Sequence, residues 1–278
     1  MSLIEILKVI VLGIVEGFTE WLPISSTGHM ILVDEIIGFQ AANPDFRNMF
    51  LVVIQLGAIL AVVVMYFHKL NPFSPTKKPA QKQATMVLWY KIILACIPAA
   101  IIGLLIDDIV DFYLDKWYVV AATLIIYGIL FIVIEDRNKY RKFDVQKVGD
   151  ISYQTALYIG LFQVLSLIPG TSRSGATILG AMILGCSRGA AAEFSFFLGI
   201  PVMFGASFLK IVKYGLKFTL PQVFYLLLGM VIAFFVSVYS IQFLMGYVKK
   251  HDFKFFGVYR IVLGVIVIIY FGISALVG

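Results

Sequence analysis

The stretch G-I-V-E-G-F-T-E-W-L-P-I-S-S-T-G-H at residues 13–29 breaks an apolar segment with two glutamates, a proline and a run of hydroxyl residues. A related stretch, G-L-F-Q-V-L-S-L-I-P-G-T-S-R-S-G-A, occupies residues 160–176. At one constant offset the two stretches match at several places: Gly13 aligns with Gly160, Glu16 with Gln163, Ser25 with Ser172, Thr27 with Ser174 and Gly28 with Gly175. This internal repeat predicts that the chain consists of two copies of one structural unit.

The remainder of the chain is apolar enough to lie in a bilayer. Hydrophobic residues make up 61% of its 278 residues and charged residues only 14%, whereas soluble domains are roughly half apolar. Apolar runs of about the twenty residues needed to cross hydrocarbon predict membrane-spanning helices. There are six such runs, at residues 50–67, 87–106, 118–134, 194–211, 223–247 and 255–276.

Two further apolar segments, at residues 3–33 and 151–184, are broken near their middles and predict re-entrant hairpins. Each is followed by three spans, so an odd number of crossings inverts the second copy relative to the first. Irregular backbone at membrane depth is tolerated only where protein or a water-filled cavity covers it. We therefore predict an all-α integral membrane protein with six transmembrane helices plus two broken re-entrant helical hairpins. These form two inverted-topology repeats, residues 1–147 and 148–278, whose broken segments meet near the midplane.

Basic residues gather between the spans and give a topology. They are Lys69, Lys77, Lys78, Lys82 and Lys91, then Arg137, Lys139, Arg141, Lys142 and Lys147, and then Lys249, Lys250, Lys254 and Arg260. By the positive-inside rule these connections are cytoplasmic, and the acidic stretch 107–115 lies outside with both termini. Lys210, Lys213 and Lys217 fall on the external side as an exception. The net charge of +6 is thus a topology signal, and nucleic-acid binding has no support.

Glu16 and Glu20 lie four residues apart, which places both carboxylates on one face of an otherwise apolar helix. They either mark a helix end at the interface or face a polar site, and charges inside membrane segments usually mark function. Oxygen ligands of this kind, supplemented by substrate phosphate, suit Mg²⁺ or Ca²⁺. We predict that Glu16 and Glu20 hold a divalent cation.

The hydroxyl residues after Pro23 predict the start of a new helix with free backbone N–H groups. Ser25 is equally well interpreted as an ordinary N-cap. Ser26 and His29 are three residues apart, so the imidazole could act as the base for the hydroxyl. Alternatively, His29 is a hydrogen-bonded structural residue.

The second copy has the character of an anion-binding site. In P-G-T-S-R-S-G-A-T, residues 169–177, a glycine turn, hydroxyls and Arg173 precede or begin a helix. The helix dipole, free N–H groups and a forked guanidinium all favour phosphate oxygens. Arg173 lies too deep in the segment to be a simple topology anchor. No Gly-Lys-Ser/Thr follows at the required spacing, so the stretch is not a Walker loop.

E-G-F-T-E-W-L-P-I-S-S-T-G-H together with P-G-T-S-R-S-G-A-T resembles the bacitracin-resistance type of undecaprenyl pyrophosphate phosphatase. The resemblance covers essentially the whole chain, including Q-L-G at 55–57 and E-F-S-F at 193–196. It implies an enzyme of the bacterial cytoplasmic membrane that converts undecaprenyl pyrophosphate to the monophosphate carrier for cell-wall glycan, with a divalent cation. Bacitracin would compete indirectly by binding this substrate, and a homodimer stays possible. By the resemblance, the family's functional positions are Glu16, Glu20, Ser26, His29 and Arg173.

A mechanism follows in which a cation on the two carboxylates neutralises pyrophosphate, Arg173 grips the phosphoryl group and Ser26 attacks in line. Either His29 or Glu20 takes the proton, and direct attack by water with Ser26 orienting it stays open. The expected phosphate-binding residues are Arg173, Ser172, Ser174, Thr177, Thr27 and Gly170. We expect the site to face the periplasm or outside. A lipid-phosphate flippase or transporter is the rival, because inverted repeats with broken helices are a transporter plan.

Overall fold

The structure is a computed structural model that describes residues 2–39, 43–114, 116–215 and 217–277. Apart from one isolated bridge between Val145 and Cys186, those residues contain no β structure. The first half has the α-helices α1 Leu3–Thr19, α2 Ser26–Ile37, α3 Pro44–Val53, α4 Gln55–Met65, α5 Phe67–Leu70, α6 Pro79–Ile109 and α7 Trp117–Arg137. The second half has α8 Tyr153–Val164, α9 Arg173–Ile183, α10 Arg188–Tyr214, α11 Leu220–Tyr247 and α12 Lys254–Val277. A π-helix, Val110–Leu114, extends α6, and short 3₁₀ turns precede and follow α8.

Six stretches of helix are long and apolar enough to cross a membrane, which confirms the predicted number. They are Pro44–Met65, Pro79–Ile106, Trp117–Arg137, Arg188–Tyr214, Leu220–Tyr247 and Lys254–Ser274. The first begins six residues before the predicted run because it has its own start signal. Asn43 caps it by accepting a hydrogen bond from the Phe46 amide at 2.7 Å, and Pro44 occupies the first turn.

Both predicted helix breaks are confirmed, and the two breaks share an unusual backbone geometry. Ser25 precedes α2 with φ 73°, and Ser172 precedes α9 with φ 72°. Within the described chain, these are the only non-glycine residues with positive φ. Each serine hydroxyl oxygen accepts a hydrogen bond from the amide three residues on, at 3.2 Å for Gly28 and 3.1 Å for Gly175. The aligned serines are therefore equivalent N-caps.

The aligned glycines also make corresponding contacts. A Cβ on Gly13 of α1 would lie 2.9 Å from Ile232 in α11, and a Cβ on Gly160 of α8 would lie 2.2 Å from the Ala95 carbonyl oxygen in α6. Small residues of this kind let membrane helices approach at backbone distance. Thus α1 packs against a helix of the second half, and α8 packs against a helix of the first half.

Helices α7 and α12 cross at a reciprocal contact. A Cβ on Gly128 would lie 2.7 Å from the carbonyl oxygen of Gly257, and a Cβ on Gly257 would lie 2.7 Å from that of Gly128. Neither position has room for a side chain, so the two backbones touch directly.

Several cations assigned from the sequence to connecting loops are helical residues, among them Lys82, Lys91 and Arg260. Arg260 is a residue of α12 and is fully buried, so its predicted place in a cytoplasmic loop is wrong. Backbone carbonyl acceptors inside the bundle make this burial possible. Lys91 belongs to α6 rather than to the connection before it, and its ammonium donates to the Gly149 carbonyl at 3.1 Å. The side chains of Asp107, Asp108 and Asp111 and the whole of Asp115 lie outside the described residues.

Candidate active site

The carboxylate of Glu20 connects the two broken segments. The hydroxyl of Ser26 donates to its Oε2 at 2.8 Å, and Nη2 and Nε of Arg173 donate to its Oε1 at 3.0 and 3.3 Å. The side chain of Glu20 is buried. Ser26 and Arg173, which belong to different broken segments, thus contact opposite oxygens of one carboxylate.

Several groups besides Glu20 orient the side chain of Arg173. Its Nη1 donates to the Ser195 carbonyl of α10 at 2.7 Å, and its guanidinium carbon lies 5.7 Å from the centre of the Trp21 ring. A Cβ on Gly199 would lie 3.0 Å from Nη2, so the guanidinium packs closely against this glycine. Residues of both halves thus determine the position of the Arg173 guanidinium.

Two hydroxyls that the sequence predicts as phosphate ligands have hydrogen-bond partners in the protein. Ser174 donates to the backbone carbonyls of Glu20 and Leu22, at 3.1 and 3.2 Å. Thr177 lies within hydrogen-bond distance of the Arg173 carbonyl at 2.9 Å and of the Ser195 hydroxyl at 2.7 Å. Ser174 therefore holds the second turn against the first, and Thr177 holds α9 against α10.

The other predicted phosphate ligands occupy different environments. Ser172 caps α9 and lies 3.1 Å from the Ser174 hydroxyl, whereas Thr27 is exposed. Gly170 has φ 84°, and a Cβ there would lie 2.3 Å from the Thr123 hydroxyl, so its role in the turn requires glycine. Phosphate binding by all these residues stays a prediction.

His29 contacts the backbone and an aromatic hydroxyl rather than Ser26. Its Nδ1 lies 2.7 Å from the Ser25 carbonyl oxygen, and its Nε2 lies 2.7 Å from the Tyr259 hydroxyl. The imidazole also stacks on the Tyr259 ring, with centroids 5.6 Å apart. Of the two bases left open by the sequence, Glu20 is the one that contacts the Ser26 hydroxyl.

Buried polar atoms without partners lie on the residues that flank this centre. Glu16 is 1% exposed, and its Oε1 has no hydrogen-bond partner. Both amide atoms of its aligned counterpart Gln163 are likewise unpartnered, as is Nε1 of Trp21. An unpaired buried carboxylate oxygen is costly unless a ligand satisfies it.

The donor set fits a hard divalent cation with substrate as co-ligand. Glu16 and Glu20 supply carboxylate oxygens, which Mg²⁺ and Ca²⁺ prefer. The described residues contain no group of three or more His, Cys, Asp or Glu side chains arranged for a metal. The remaining ligands would therefore come from phosphate oxygens and water, as is usual for Mg²⁺.

The sequence interpretation missed Arg260, Tyr259 and the Ser195 carbonyl. Arg260 did carry a signal, because a single arginine inside an apolar run is a functional candidate by default. The Ser195 carbonyl carried none, since every residue has a carbonyl group. Tyr259 could be found only by knowing that α12 passes beside α2.

Comparisons with known proteins show the family of the chain. The family model described as bacitracin resistance protein BacA matches residues 9–266. A protein of Desulfitobacterium hafniense named undecaprenyl-diphosphatase is 59% identical over 279 residues, covering 100% of both chains. Proteins with the same name from Enterococcus faecalis and Streptococcus thermophilus are 59% and 57% identical, and the matches cover 97% and 99% of this chain and 98% and 96% of theirs.

Proposed function

The chain belongs to the bacitracin resistance protein BacA family, and from this premise we propose that the site around Glu20 hydrolyses undecaprenyl diphosphate. The products are undecaprenyl phosphate and inorganic phosphate, and the chain is an integral membrane phosphatase. One observation carries the assignment of the site: a single carboxylate contacts both Ser26 and Arg173. A nucleophile, a base and a phosphate-binding cation are thereby adjacent.

Catalysis begins with the proton of the Ser26 hydroxyl. Glu20 Oε2 accepts that proton as Ser26 Oγ attacks the terminal phosphorus, and undecaprenyl phosphate leaves. Water then hydrolyses the phosphoserine, which restores Ser26 and releases inorganic phosphate. Direct attack by water, with Ser26 orienting it, uses the same contacts and differs by having no covalent intermediate.

Charge stabilisation accompanies the transfer. Arg173 presents a planar fork that suits the non-bridging phosphoryl oxygens, and Trp21 and Ser195 orient that fork. A divalent cation on Glu16 and Glu20 would neutralise pyrophosphate charge when bound. The N-terminus of α9, which begins at Arg173, adds its dipole.

The inverted arrangement of the two halves is part of the proposal. We take residues 1–147 and 148–278 as repeats, each with a re-entrant hairpin followed by three spans. Support comes from the equivalent caps Ser25 and Ser172 and from the exchanged contacts of Gly13 and Gly160. In this arrangement the first half supplies the two carboxylates and the nucleophile, and the second half supplies the guanidinium of Arg173.

Location and cellular role complete the proposal. The basic connections favour insertion in the bacterial cytoplasmic membrane with the site facing outside, where recycled carrier lipid is released during cell-wall synthesis. Bacitracin would act indirectly by binding the lipid substrate. Membrane lipid surrounds the chain, and a homodimer stays compatible with it.

Release of inorganic phosphate tests this function. Purified protein in detergent is expected to release phosphate from undecaprenyl diphosphate, and Ser26→Ala is expected to stop this release. Ser152→Ala removes an N-cap of α8 outside the site and serves as the matched control. A purified protein that moves the lipid across vesicles but releases no phosphate would instead be a flippase.

A further inference from the structure

Arg260 is a fully buried cation that contacts both broken segments. Its Nη2 donates to the carbonyls of Gly170 and Thr171 at 2.9 and 3.0 Å, and its Nη1 donates to the Pro23 carbonyl at 3.3 Å. Longer bonds, of 3.5 Å, reach the carbonyls of Leu124 and Thr123 in α7. One guanidinium therefore joins the turn before α2, the turn before α9 and a spanning helix.

No carboxylate neutralises this charge among the side chains that the structure describes. The partners of Arg260 are neutral carbonyls and the Tyr127 ring, which lies 5.4 Å from the guanidinium carbon. A buried cation without a counter-ion is expensive in a membrane interior. Neutral hydrogen-bond donors would join carbonyls without that cost, so joining the turns does not by itself account for a charge here.

The charge lies directly behind the centre described above. A Cβ on Gly175, in the first turn of α9, would lie 3.1 Å from Nη1 of Arg260. On the side of α2, Nη1 of Arg260 donates to the Pro23 carbonyl in the turn before that helix. Arg260 is thus placed behind the N-termini of two helices whose dipoles already favour an anion.

We propose that Arg260 is a positioning residue with two effects on the reaction: it sets the spacing of the two turns, and its unneutralised charge favours the diphosphate of the substrate. Arg260 does not touch the phosphate in this proposal. It acts through the turn carbonyls and through its electric field. The inference rests on the proposed function, because it names a further determinant of the same site.

Two variants of Arg260 distinguish the effect of its charge from its effect on the spacing of the turns. Arg260→Gln removes the charge, so the KM for undecaprenyl diphosphate and the inhibition constant of inorganic phosphate should both rise by about tenfold, because a buried charge no longer attracts the anion. Arg260→Lys keeps the charge but loses the fork that reaches both turns. It should therefore keep KM within about threefold of the parent while kcat falls by about tenfold or more.

Lys254→Gln is the matched control, because Lys254 is another cation of α12 but is paired with Asp136 and lies outside the site. It should leave KM and phosphate inhibition at the parent values. Folded fraction is measured for each variant by size exclusion and thermal denaturation in detergent. If Arg260→Gln does not fold, Arg260→Met takes its place, because it also removes the charge while keeping a long side chain, and the same rise in KM and in the phosphate inhibition constant is expected.

A purely structural arginine would give a different pattern. Arg260→Gln and Arg260→Lys would then lose activity alike, with unchanged KM and phosphate inhibition in the folded fraction, and this result would overturn the proposal. A raised KM in Arg260→Lys would also overturn the charge effect. A parent protein that releases no phosphate would instead defeat the proposed function.

Discussion

The hydroxyl of Ser174 donates to the backbone carbonyl of Glu20 at 3.1 Å, so the second turn is bonded to the very residue that carries the central carboxylate. A second acceptor, the Leu22 carbonyl, lies 3.2 Å from the same hydroxyl. Each broken segment thus supports the other at the point where irregular backbone would otherwise lack partners. A substitution that disturbs one turn should therefore also affect the structure of the other.

Glu20→Gln should lower turnover by about a hundredfold or more. The amide can still accept from Ser26 but cannot take its proton, and it loses the ion pair with Arg173. Phosphate release by the purified variant measures the effect. Full activity in this variant would exclude Glu20 as the base and return that role to His29.

Arg173→Lys should also reduce turnover by about a hundredfold or more in a folded, inserted protein. Lysine keeps the charge but cannot contact Glu20, Ser195 and a phosphoryl group with one planar fork. Steady-state kinetics in detergent provide the measurement. Retention of parent kinetics would show that charge alone suffices.

Ser25 offers a test of backbone strain that is separate from catalysis. Ser25→Ala should lower stability by about 1 kcal/mol through loss of the cap to Gly28, and the positive φ would stay unfavourable. Ser25→Gly loses the same cap but accepts positive φ freely. Thermal denaturation should therefore rank the glycine variant above the alanine variant, and the reverse order would contradict the strain argument.

Gly170→Ala should destabilise the protein by more than about 2 kcal/mol, because it adds a Cβ at positive φ, 2.3 Å from the Thr123 hydroxyl. Gly205→Ala is the control, since a Cβ there meets nothing within 4 Å. The apparent melting temperature in detergent should fall for the first variant and not for the second. Equal melting temperatures would mean that the turn adapts.

Chelation should abolish turnover, and added Mg²⁺ or Ca²⁺ should restore it. Two carboxylates beside a pyrophosphate repel each other and the substrate unless a cation lies between them. Activity is measured with excess EDTA on protein whose metal content is known from elemental analysis. Undiminished turnover in metal-free protein would remove the role assigned to Glu16 and Glu20.

Several parts of the site were predictable because local sequence determines them. Pro23 and the hydroxyls after it predicted the break, and Ser25 is the cap that this pattern indicates. The repeat predicted that Ser26 and Arg173 lie near one another, and Glu20 contacts both. The six spans followed from apolar length, which needs no knowledge of tertiary contacts.

The remaining contacts depend on which helices become neighbours. Ser26 and His29 have a spacing that suits a catalytic pair, but the imidazole is hydrogen-bonded to the hydroxyl of Tyr259, a residue of α12. Arg260 was assigned to a loop by the positive-inside rule. That rule uses only the positions of Lys and Arg in the sequence and does not consider backbone acceptors in the interior. The sequence did not indicate that packing of α9 supplies protein partners for the hydroxyls of Ser174 and Thr177.

Under the proposed function, the pairing of Arg173 with Glu20 makes substrate binding an exchange of anions. An arriving phosphate does not meet a bare guanidinium; it competes with an internal carboxylate for the same N–H groups. When inorganic phosphate departs, Glu20 can resume its place, so the guanidinium of Arg173 is not left without an anionic partner. The protein thereby carries its own competitor for the product, which favours product release at the expense of affinity for free phosphate.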